Sequence, residues 1–189
     1  SIDGITLSPD PVYAADLLTC SHQGYADVDD DGDESTYAWT INGSSIFAGY
    51  DLSGVFVGHD VITCTVTPDD GDDEGISITA SITVTNTAPV LDGVSISPDP
   101  AYEEETLSCD LGSTNDDAGT TSFTYVYAWT VDGSDPGPST STLSSDYWDR
   151  DDEIVCSAIP NDGENNGIEV FSDPLIISNT EPVVSNVVI

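Results

Sequence analysis

The chain has 189 residues, of which 36 are Asp or Glu, one is Arg and none is Lys, and its formal net charge at pH 7 is −35. A surface of this sign repels phosphate, which excludes nucleic acid and anionic lipid as partners. It favours divalent cations or a salty medium, because so many carboxylates destabilise a compact state unless ions neutralise them. No apolar run approaches the 18 residues of a membrane span, so we expect no membrane insertion.

The chain carries one pattern twice. Each copy contains a cysteine, then Tyr-Ala-Trp-Thr, then Asp-x-Ile-x-Cys. A repeat of about 90 residues has the size of a whole domain rather than of a solenoid unit. The sequence therefore predicts two tandem domains, residues 1–89 and 90–182, followed by residues 183–189, which repeat the first strand of each copy.

Alternating apolar residues and turn formers predict that the first copy is all-β. Residues 4–8 form a strand that the following Ser-Pro-Asp-Pro motif ends, since proline is confined to strand ends and edges. On residues 36–41, Tyr37, Trp39 and Ile41 share one face. Further strands are predicted at residues 16–21, 45–48, 50–57, 60–67 and 76–85.

The second copy follows the same order. Residues 133–145 are rich in Pro, Ser and Thr and are predicted to form an irregular connection. Residues 86–92 are a short linker whose proline limits bending more than a Gly/Ser tether would. Strands are predicted at residues 106–110, 125–131, 153–159 and 168–178.

The four cysteines bracket two tryptophans. The two sets are Cys20, Trp39 and Cys64, and Cys109, Trp129 and Cys156. A Trp packed on a disulfide between two sheets is a hallmark of immunoglobulin-like sandwiches. We therefore predict an all-β fold of two tandem immunoglobulin-like β-sandwich domains, each with its own disulfide. Disulfides indicate an oxidising compartment, hence the extracellular space or cell surface; a metal site is the weaker interpretation, since no CxxC spacing exists.

Residues 27–34, Asp-Val-Asp-Asp-Asp-Gly-Asp-Glu, are similar to an EF-hand loop without its helices. Four aspartates stand at positions 1, 3, 5 and 7 of such a loop, with Gly at position 6, but position 12 is Ala38 rather than the bidentate Glu. Hard oxygen ligands suit Ca²⁺ far better than Zn²⁺ or Cu²⁺. The first candidate calcium ligands are Asp27, Asp29, Asp31 and Asp33.

A second acidic loop, residues 69–74, is expected to supply missing ligands. The B–C and F–G loops of an immunoglobulin-like sandwich lie at the same end, where two acidic loops would repel without a cation. Eleven of the sixteen acidic residues of the first copy lie in these two loops, a crowding that a merely halophilic surface would not show. The remaining candidate ligands are Asp69, Asp70, Asp72 and Asp73, and in the second copy Asp116, Asp117, Asp162 and Glu164.

Other acidic residues of the second copy gather at residues 103–105 and 146–153, predicted to lie at the opposite end of its sandwich. In a head-to-tail array this end would face the acidic end of the next unit. We hypothesise a calcium-bridged junction there; the alternative is a solvated acidic surface.

Residues 183–189 repeat the start of a third copy. The sequence is either a window of a longer tandem array or ends in an orphan strand that completes a sheet in another subunit, and the two interpretations are compatible. An unpaired strand of this type would promote aggregation. The candidate inter-subunit residues are Val183, Val184, Val187, Val188 and Ile189.

Signals of enzymatic activity are poor, and we expect no catalytic residues. His22 and His59 lie in neither HExxH nor a nucleophile-elbow pattern and are expected on plain surface. The sequon at Asn42 and the many Ser and Thr residues are candidate glycosylation sites. Tyr147 and Trp148 would form a sugar platform if exposed, although core or junction packing is favoured.

With these motifs in place, the chain resembles the tandem immunoglobulin-like repeats, of PKD-like and cadherin-like type, found in large prokaryotic surface and secreted proteins. The matching pieces are Ser-Pro-Asp-Pro, the two cysteines, the DxDGD-type loop, Tyr-Ala-Trp-Thr-x-x-Gly, Pro-x-Asp-Gly and Asn-Thr-x-Pro, which together cover nearly the whole chain twice. The Asp-Phe-Gly-Asp-Gly run of PKD domains proper is absent. The resemblance implies adhesion, spacing or filament building, often with calcium at loops and linkers; the fold alone does not define a function.

The sequence therefore predicts a structural subunit or segment of an extracellular filament, stalk or surface array. It would self-associate head to tail by strand addition, stabilised by disulfides and Ca²⁺. The alternative is an adhesin or carbohydrate-binding module of a larger secreted protein.

Overall fold

A computed structural model describes residues 1–117 and 122–181 of the chain. Two units divide it between Thr87 and Ala88, with Asp117 grouped with the first. Each unit has its own hydrophobic core. The predicted segment 183–189 lies outside the described residues.

The first unit contains seven antiparallel strands in two sheets. One sheet has the order β1-β2-β5 and the other β4-β3-β6-β7. The strands are β1 (Gly4–Ser8), β2 (Leu18–Gln23), β3 (Thr36–Ile41), β4 (Ser44–Ala48), β5 (Asp51–Leu52), β6 (Val61–Thr67) and β7 (Ile78–Thr83).

A disulfide between Cys20 on β2 and Cys64 on β6 joins the two sheets of the first unit. Trp39 of β3 is 1% exposed in the core between them. Its indole N–H donates to the carbonyl oxygen of Gly49 at 2.7 Å, which satisfies the one polar atom of the side chain. The residues of β6 alternate, so that Ile62, Cys64 and Val66 are buried.

The second unit repeats this plan with shorter outer strands. Its sheets have the orders β13-β10-β9 and β12-β14-β15, with β16 also paired to β14, and β8 pairs separately with β11. The strands are β8 (Val90–Leu91), β9 (Val94–Ser97), β10 (Leu107–Leu111), β11 (Thr114–Asn115), β12 (Thr124–Val131), β13 (Thr142–Leu143), β14 (Glu153–Asn161), β15 (Val170–Phe171) and β16 (Leu175–Ile176).

The core of the second unit is organised like that of the first. The disulfide between Cys109 and Cys156 joins β10 to β14. Trp129 is 1% exposed, and its indole N–H donates to the carbonyl oxygen of Thr140 at 2.8 Å. The predicted fold class, two tandem immunoglobulin-like β-sandwiches each with its own disulfide, is confirmed.

Four predicted elements differ from the structure. Residues 133–145, predicted to be an irregular connection, contain β13, which pairs with β10. The continuous strand predicted at residues 168–178 is wrong, because Pro174 has no N–H to donate and separates β15 from β16. Only Asp51–Leu52 of the predicted strand at 50–57 is paired. The predicted linker at 86–92 includes β8, which pairs with β11 and so belongs to the second unit.

Within the described ranges, no helix has the length and apolarity needed to cross a membrane.

Candidate calcium site at the acidic end of the first unit

The loop between β2 and β3, here the BC loop, folds around the carboxylate of Asp27. Asp27 Oδ1 accepts the backbone N–H of Asp29 at 2.8 Å and that of Asp31 at 3.4 Å. Asp30 has a φ of 61°, in the left-handed region that Asp tolerates better than most residues. The Asp27 carboxylate therefore helps to shape the loop.

The loop between β6 and β7, here the FG loop, uses a second aspartate in the same way. Asp69 and Glu74 form a one-residue antiparallel bridge across it. Asp70 Oδ1 accepts the backbone N–H of Asp73 at 2.7 Å and that of Asp72 at 2.9 Å. These two donors stabilise the charged carboxylate and lower the pKa of Asp70 below its usual value.

The BC and FG loops meet, as their position in the sandwich predicts. The backbone N–H of Glu34 donates to the carbonyl oxygen of Asp69 at 2.8 Å. The hydroxyl of Tyr25 lies 3.3 Å from the carbonyl oxygen of Gly32 and 3.4 Å from that of Asp69. Hydrogen bonds to backbone carbonyl oxygens thus hold together two loops whose carboxylates repel each other.

A cavity of about 170 Å³ lies where the two loops meet. Ser1 also lines it, and the Ser1 backbone nitrogen donates to the carbonyl oxygen of Ala26 at 2.7 Å. A water molecule takes up roughly 30 Å³ of liquid volume, so the cavity has room for a partly hydrated cation. The acidic residues lining it are Asp27, Asp69, Asp70, Asp73 and Glu74.

The pKa of Tyr25 is affected by the charges of both loops. Loss of hydration first, and then the negative charges of Asp27 and Asp70, raise the pKa of the Tyr25 phenol. Asp27 belongs to the BC loop and Asp70 to the FG loop, so one side chain lies in the field of both.

Several predicted ligands do not line this cavity. Asp29, Asp31 and Asp72 are exposed outside it. Over residues 1–117 and 122–181, no three His, Cys, Asp or Glu side chains are close enough to hold a metal ion. The donors are the hard oxygens that Ca²⁺ prefers, so their chemistry fits the ion, and the two loops would have to close further to coordinate it.

Asp33 is turned towards His22, which the sequence analysis placed on plain surface. His22 Nε2 lies 2.8 Å from Asp33 Oδ2, and His22 Nδ1 lies 2.7 Å from the hydroxyl of Tyr37. The His22 side chain is 11% exposed, so that expectation was wrong. Partial burial acts to raise the pKa of Asp33, but hydrogen bonds from Ser35 and His22 outweigh it and the pKa is lowered.

The second unit contains a weaker version of the FG loop. Asp162 Oδ1 accepts the backbone N–H groups of Glu164 and Asn165, both at 2.7 Å, as Asp70 does in the first unit. Asn161 stands in the place of Asp69 and removes one charge. Asp116 and Asp117, the other two predicted ligands, are half-buried after β11.

The other acidic segments of the second unit lie next to each other. The backbone N–H of Ser178 donates to the carbonyl oxygen of Ala101 at 2.8 Å, and that of Asp151 donates to Ile177 at 3.1 Å. Residues 103–105 and 149–153 therefore flank the same strand end. Arg150 lies among them, with its Nε 3.1 Å from Asp151 Oδ2.

The candidate glycan-related positions are engaged in the fold. Asn42 Nδ2 donates to Asp60 at 2.7 Å, and Asn42 Oδ1 accepts the N–H of Val61 at 2.9 Å. A glycan on Asn42 would disrupt the first of these bonds. Trp148 is 5% exposed and packs in the core, so it does not form a sugar platform with the more exposed Tyr147.

Several solved structures are similar to this chain over most of its length. A fibronectin type-III domain pair of chicken tenascin is 11% identical, with coverage of 93% of this chain and 98% of that chain and a TM-score of 0.48. The three N-terminal domains of the outer capsid protein Hoc of bacteriophage RB49 are 15% identical, with 94% and 70% coverage and a TM-score of 0.42. The ectodomain of mouse nectin-like molecule 4 is 10% identical, with 96% and 66% coverage and a TM-score of 0.40.

No protein-family model and no curated protein sequence matches the chain. At 10–15% identity, the structural similarities do not indicate what the chain binds. Its own strand order and disulfides define it as a tandem immunoglobulin-like protein of the kind found in oxidising, extracellular environments.

Proposed function

We propose that the chain is a structural segment of an extracellular filament, stalk or cell-surface array whose acidic ends are neutralised by calcium. The observation that carries this proposal is the cavity between the BC and FG loops, which five acidic residues line. The resemblance to prokaryotic surface repeats favours the exterior of a prokaryotic cell as its setting.

Calcium would act in this protein as a clamp on the two loops. Asp27 of the BC loop and Asp69, Asp70, Asp73 and Glu74 of the FG loop would hold it, with water completing its coordination. The bound ion would supply positive charge that offsets the repulsion between the carboxylates of the two loops. Clamped loops would give each segment a stiff end.

The acidic segments at the far end of the second unit offer a second place for cations. In a head-to-tail array these segments would face the BC and FG loops of the next copy, and calcium would bridge two surfaces of like charge. Segment 183–189 would add a strand to the neighbouring copy. The role is mechanical rather than catalytic.

Electron microscopy and sedimentation of the full chain, with Ca²⁺ and with a chelator, test this function. We expect elongated assemblies in millimolar Ca²⁺ that dissociate on chelation, and no comparable assembly in Mg²⁺, which demands stricter octahedral geometry. A chain that stays monomeric under all three conditions, or assemblies indifferent to chelation, would contradict the proposal. A monomer that binds glycans on an array would favour the adhesin alternative.

A further inference from the structure

The second unit lacks a strand that the first unit has. In the first unit, β4 covers the outer edge of β3, and the sheet has the order β4-β3-β6-β7. The matching sheet of the second unit begins at β12, the counterpart of β3. Within the described part of the chain, β12 is therefore an edge strand.

Proline explains why no strand covers this edge. The indole bonds of Trp39 to Gly49 and of Trp129 to Thr140 mark corresponding points in the two units. Between β12 and Thr140, only Ser134 forms a bridge, to Val131. The stretch then contains Pro136 and Pro138, which lack an N–H group and cannot continue a ladder.

The backbone groups at this edge follow from the register of β12 and β14. The N–H of Asp132 donates to Glu153, and residues on an antiparallel strand alternate between facing one neighbour and the other. Even-numbered residues of β12 therefore bond β14, and odd-numbered residues face the edge, as the bonds between Val131 and Ser134 confirm. The N–H and C=O groups of Tyr125, Tyr127 and Trp129 have no backbone partner on that side in the described residues.

β12 itself carries none of the features that blunt an edge strand. Natural edge strands are blunted by charges, prolines or bulges. β12 contains no charged residue and no proline along eight residues, in a chain with a net charge of −35. The sheet face beside it exposes large apolar side chains: Val126 is 58% exposed opposite Ile159, and Phe171 is 60% exposed. A neutral strand can approach here without charge repulsion.

We propose that the free edge of β12 accepts segment 183–189 of a second copy, in the position that β4 occupies in the first unit. This inference rests on the head-to-tail assembly proposed above and specifies where the donated strand binds. The segment is uncharged and consists mostly of Val and Ile, residues favoured in strands. Seven extended residues span about 24 Å, close to the length of β12.

The same segment leaves its own copy on the wrong side of the sheet to cover this edge. β16 pairs with β14 on the side opposite β12. Ser178 is still bridged to Tyr102, so five Cα–Cα steps lead from there to Val183 and span at most about 18 Å. Three inter-strand spacings of about 4.8 Å separate β16 from the position beyond β12, and the path must also pass around the sheet. The occupant is therefore a second copy.

A peptide with the sequence of residues 183–189, added to the full chain and to a chain ending at residue 182, tests this assignment. We expect saturable binding to the shortened chain, with hydrogen-exchange protection of the amides of Tyr125, Tyr127 and Trp129. A strand added at an edge bonds to that edge through the N–H groups of every second residue only. Peptides N-methylated on residues 184, 186 and 188, or on residues 185, 187 and 189, should therefore differ, with one set losing roughly 100-fold in affinity and the other little, since each net hydrogen bond contributes about fivefold.

A graft supplies an independent variant. Replacing residues 133–139 with residues 43–48 gives the second unit its own covering strand, and we expect this chain to bind no peptide. Peptide binding that protects β4, β7 or another edge, or binding unchanged by the graft or by both N-methylated sets, would overturn the assignment. If the full chain still assembles when it carries the graft, the assignment to β12 is overturned and the filament proposal stands. If the peptide binds at β12 but the full chain does not assemble, the assignment is supported and the filament proposal is contradicted.

Discussion

Individual aspartates in this protein fold loops as well as carry charge. Asp27 and Asp70 each accept two backbone N–H groups on one oxygen, which leaves the second oxygen of each carboxylate available to a cation. These two residues lie on opposite loops of the same cavity. They are the positions at which the calcium hypothesis is most directly testable.

Asp27→Asn and Asp70→Asn should each weaken calcium binding by about tenfold, because an amide oxygen still accepts the loop hydrogen bonds but no longer attracts the ion as a carboxylate does. Isothermal titration calorimetry with Ca²⁺ measures the effect. Asp10→Asn removes the same charge from an exposed position outside the loops and should leave affinity unchanged. Equal weakening in all three variants would show a diffuse effect of net charge instead of a site.

Asp33 should contribute to acid sensitivity through its contacts with His22 and Ser35. Its pKa is lowered in the folded state, so the ionised carboxylate stabilises the fold above the ordinary value of 3.8 and that contribution is lost as pH falls through the folded pKa. In urea unfolding, Asp33→Asn should be less stable than the parent chain at pH 7, and the difference should shrink towards pH 3. Asp29→Asn, in the same loop but exposed, serves as the control; an equal loss there would exclude a specific role of the His22 contact.

At the scale of strands and loops, the sequence predicted what local pattern determines. The bounds of β3 agree with the predicted residues 36–41 because Tyr37, Trp39 and Ile41 alternate with smaller residues and a turn follows. Pairings over a distance were missed: β8 and β11 have only two residues each, and nothing in either segment indicates the other.

The sequence predicted that the two acidic loops lie close together. It did not predict which of their side chains face the cavity. The position of the two loops at one end of the sandwich follows from the fold class. The EF-hand-like spacing indicates the order of aspartates along the chain but not their direction, so Asp33 was not expected to turn towards His22. One signal for His22 was available, since it alternates with Leu18 and Cys20 and therefore shares their inward face.

Removing a disulfide should cost each unit about 4 kcal/mol of stability, since the bridges close loops with sequence separations of 44 and 47 residues. Cys20→Ser with Cys64→Ser, and separately Cys109→Ser with Cys156→Ser, can be compared by chemical denaturation with tryptophan fluorescence. We expect two transitions in each double variant, of which only the one from the altered unit shifts. A single transition that shifts in both double variants would mean that the two units unfold as one cooperative body.

For the whole molecule, with its net charge of −35, cations can stabilise the fold in two ways: by screening the overall repulsion and by binding at a specific site. Diffuse repulsion is reduced by any salt, because the Debye length falls from about 10 Å at 0.1 M to about 3 Å at 1 M. A specific site responds to calcium alone, through preferential binding to the folded state.

The melting temperature should therefore rise with NaCl and rise further with millimolar CaCl₂ at the same ionic strength. Differential scanning calorimetry measures both effects. With Asp27→Asn and Asp70→Asn combined, the NaCl effect should persist and the additional calcium effect should disappear. A chain for which CaCl₂ and NaCl are equivalent at matched ionic strength would have no calcium site.

The disulfides also determine how far a chain of such units could be stretched. Each bridge lies well inside its unit, so tension applied at the ends can extend only the residues outside the bridged loop. At roughly 3.6 Å per residue, about 160 Å of contour length in the first unit and about 170 Å in the second are withheld from a pulling force while the bridges are intact. An array of these units would thus extend only a short distance under force, even where individual domains unfold. Reduction of the disulfides would make the same array far more extensible.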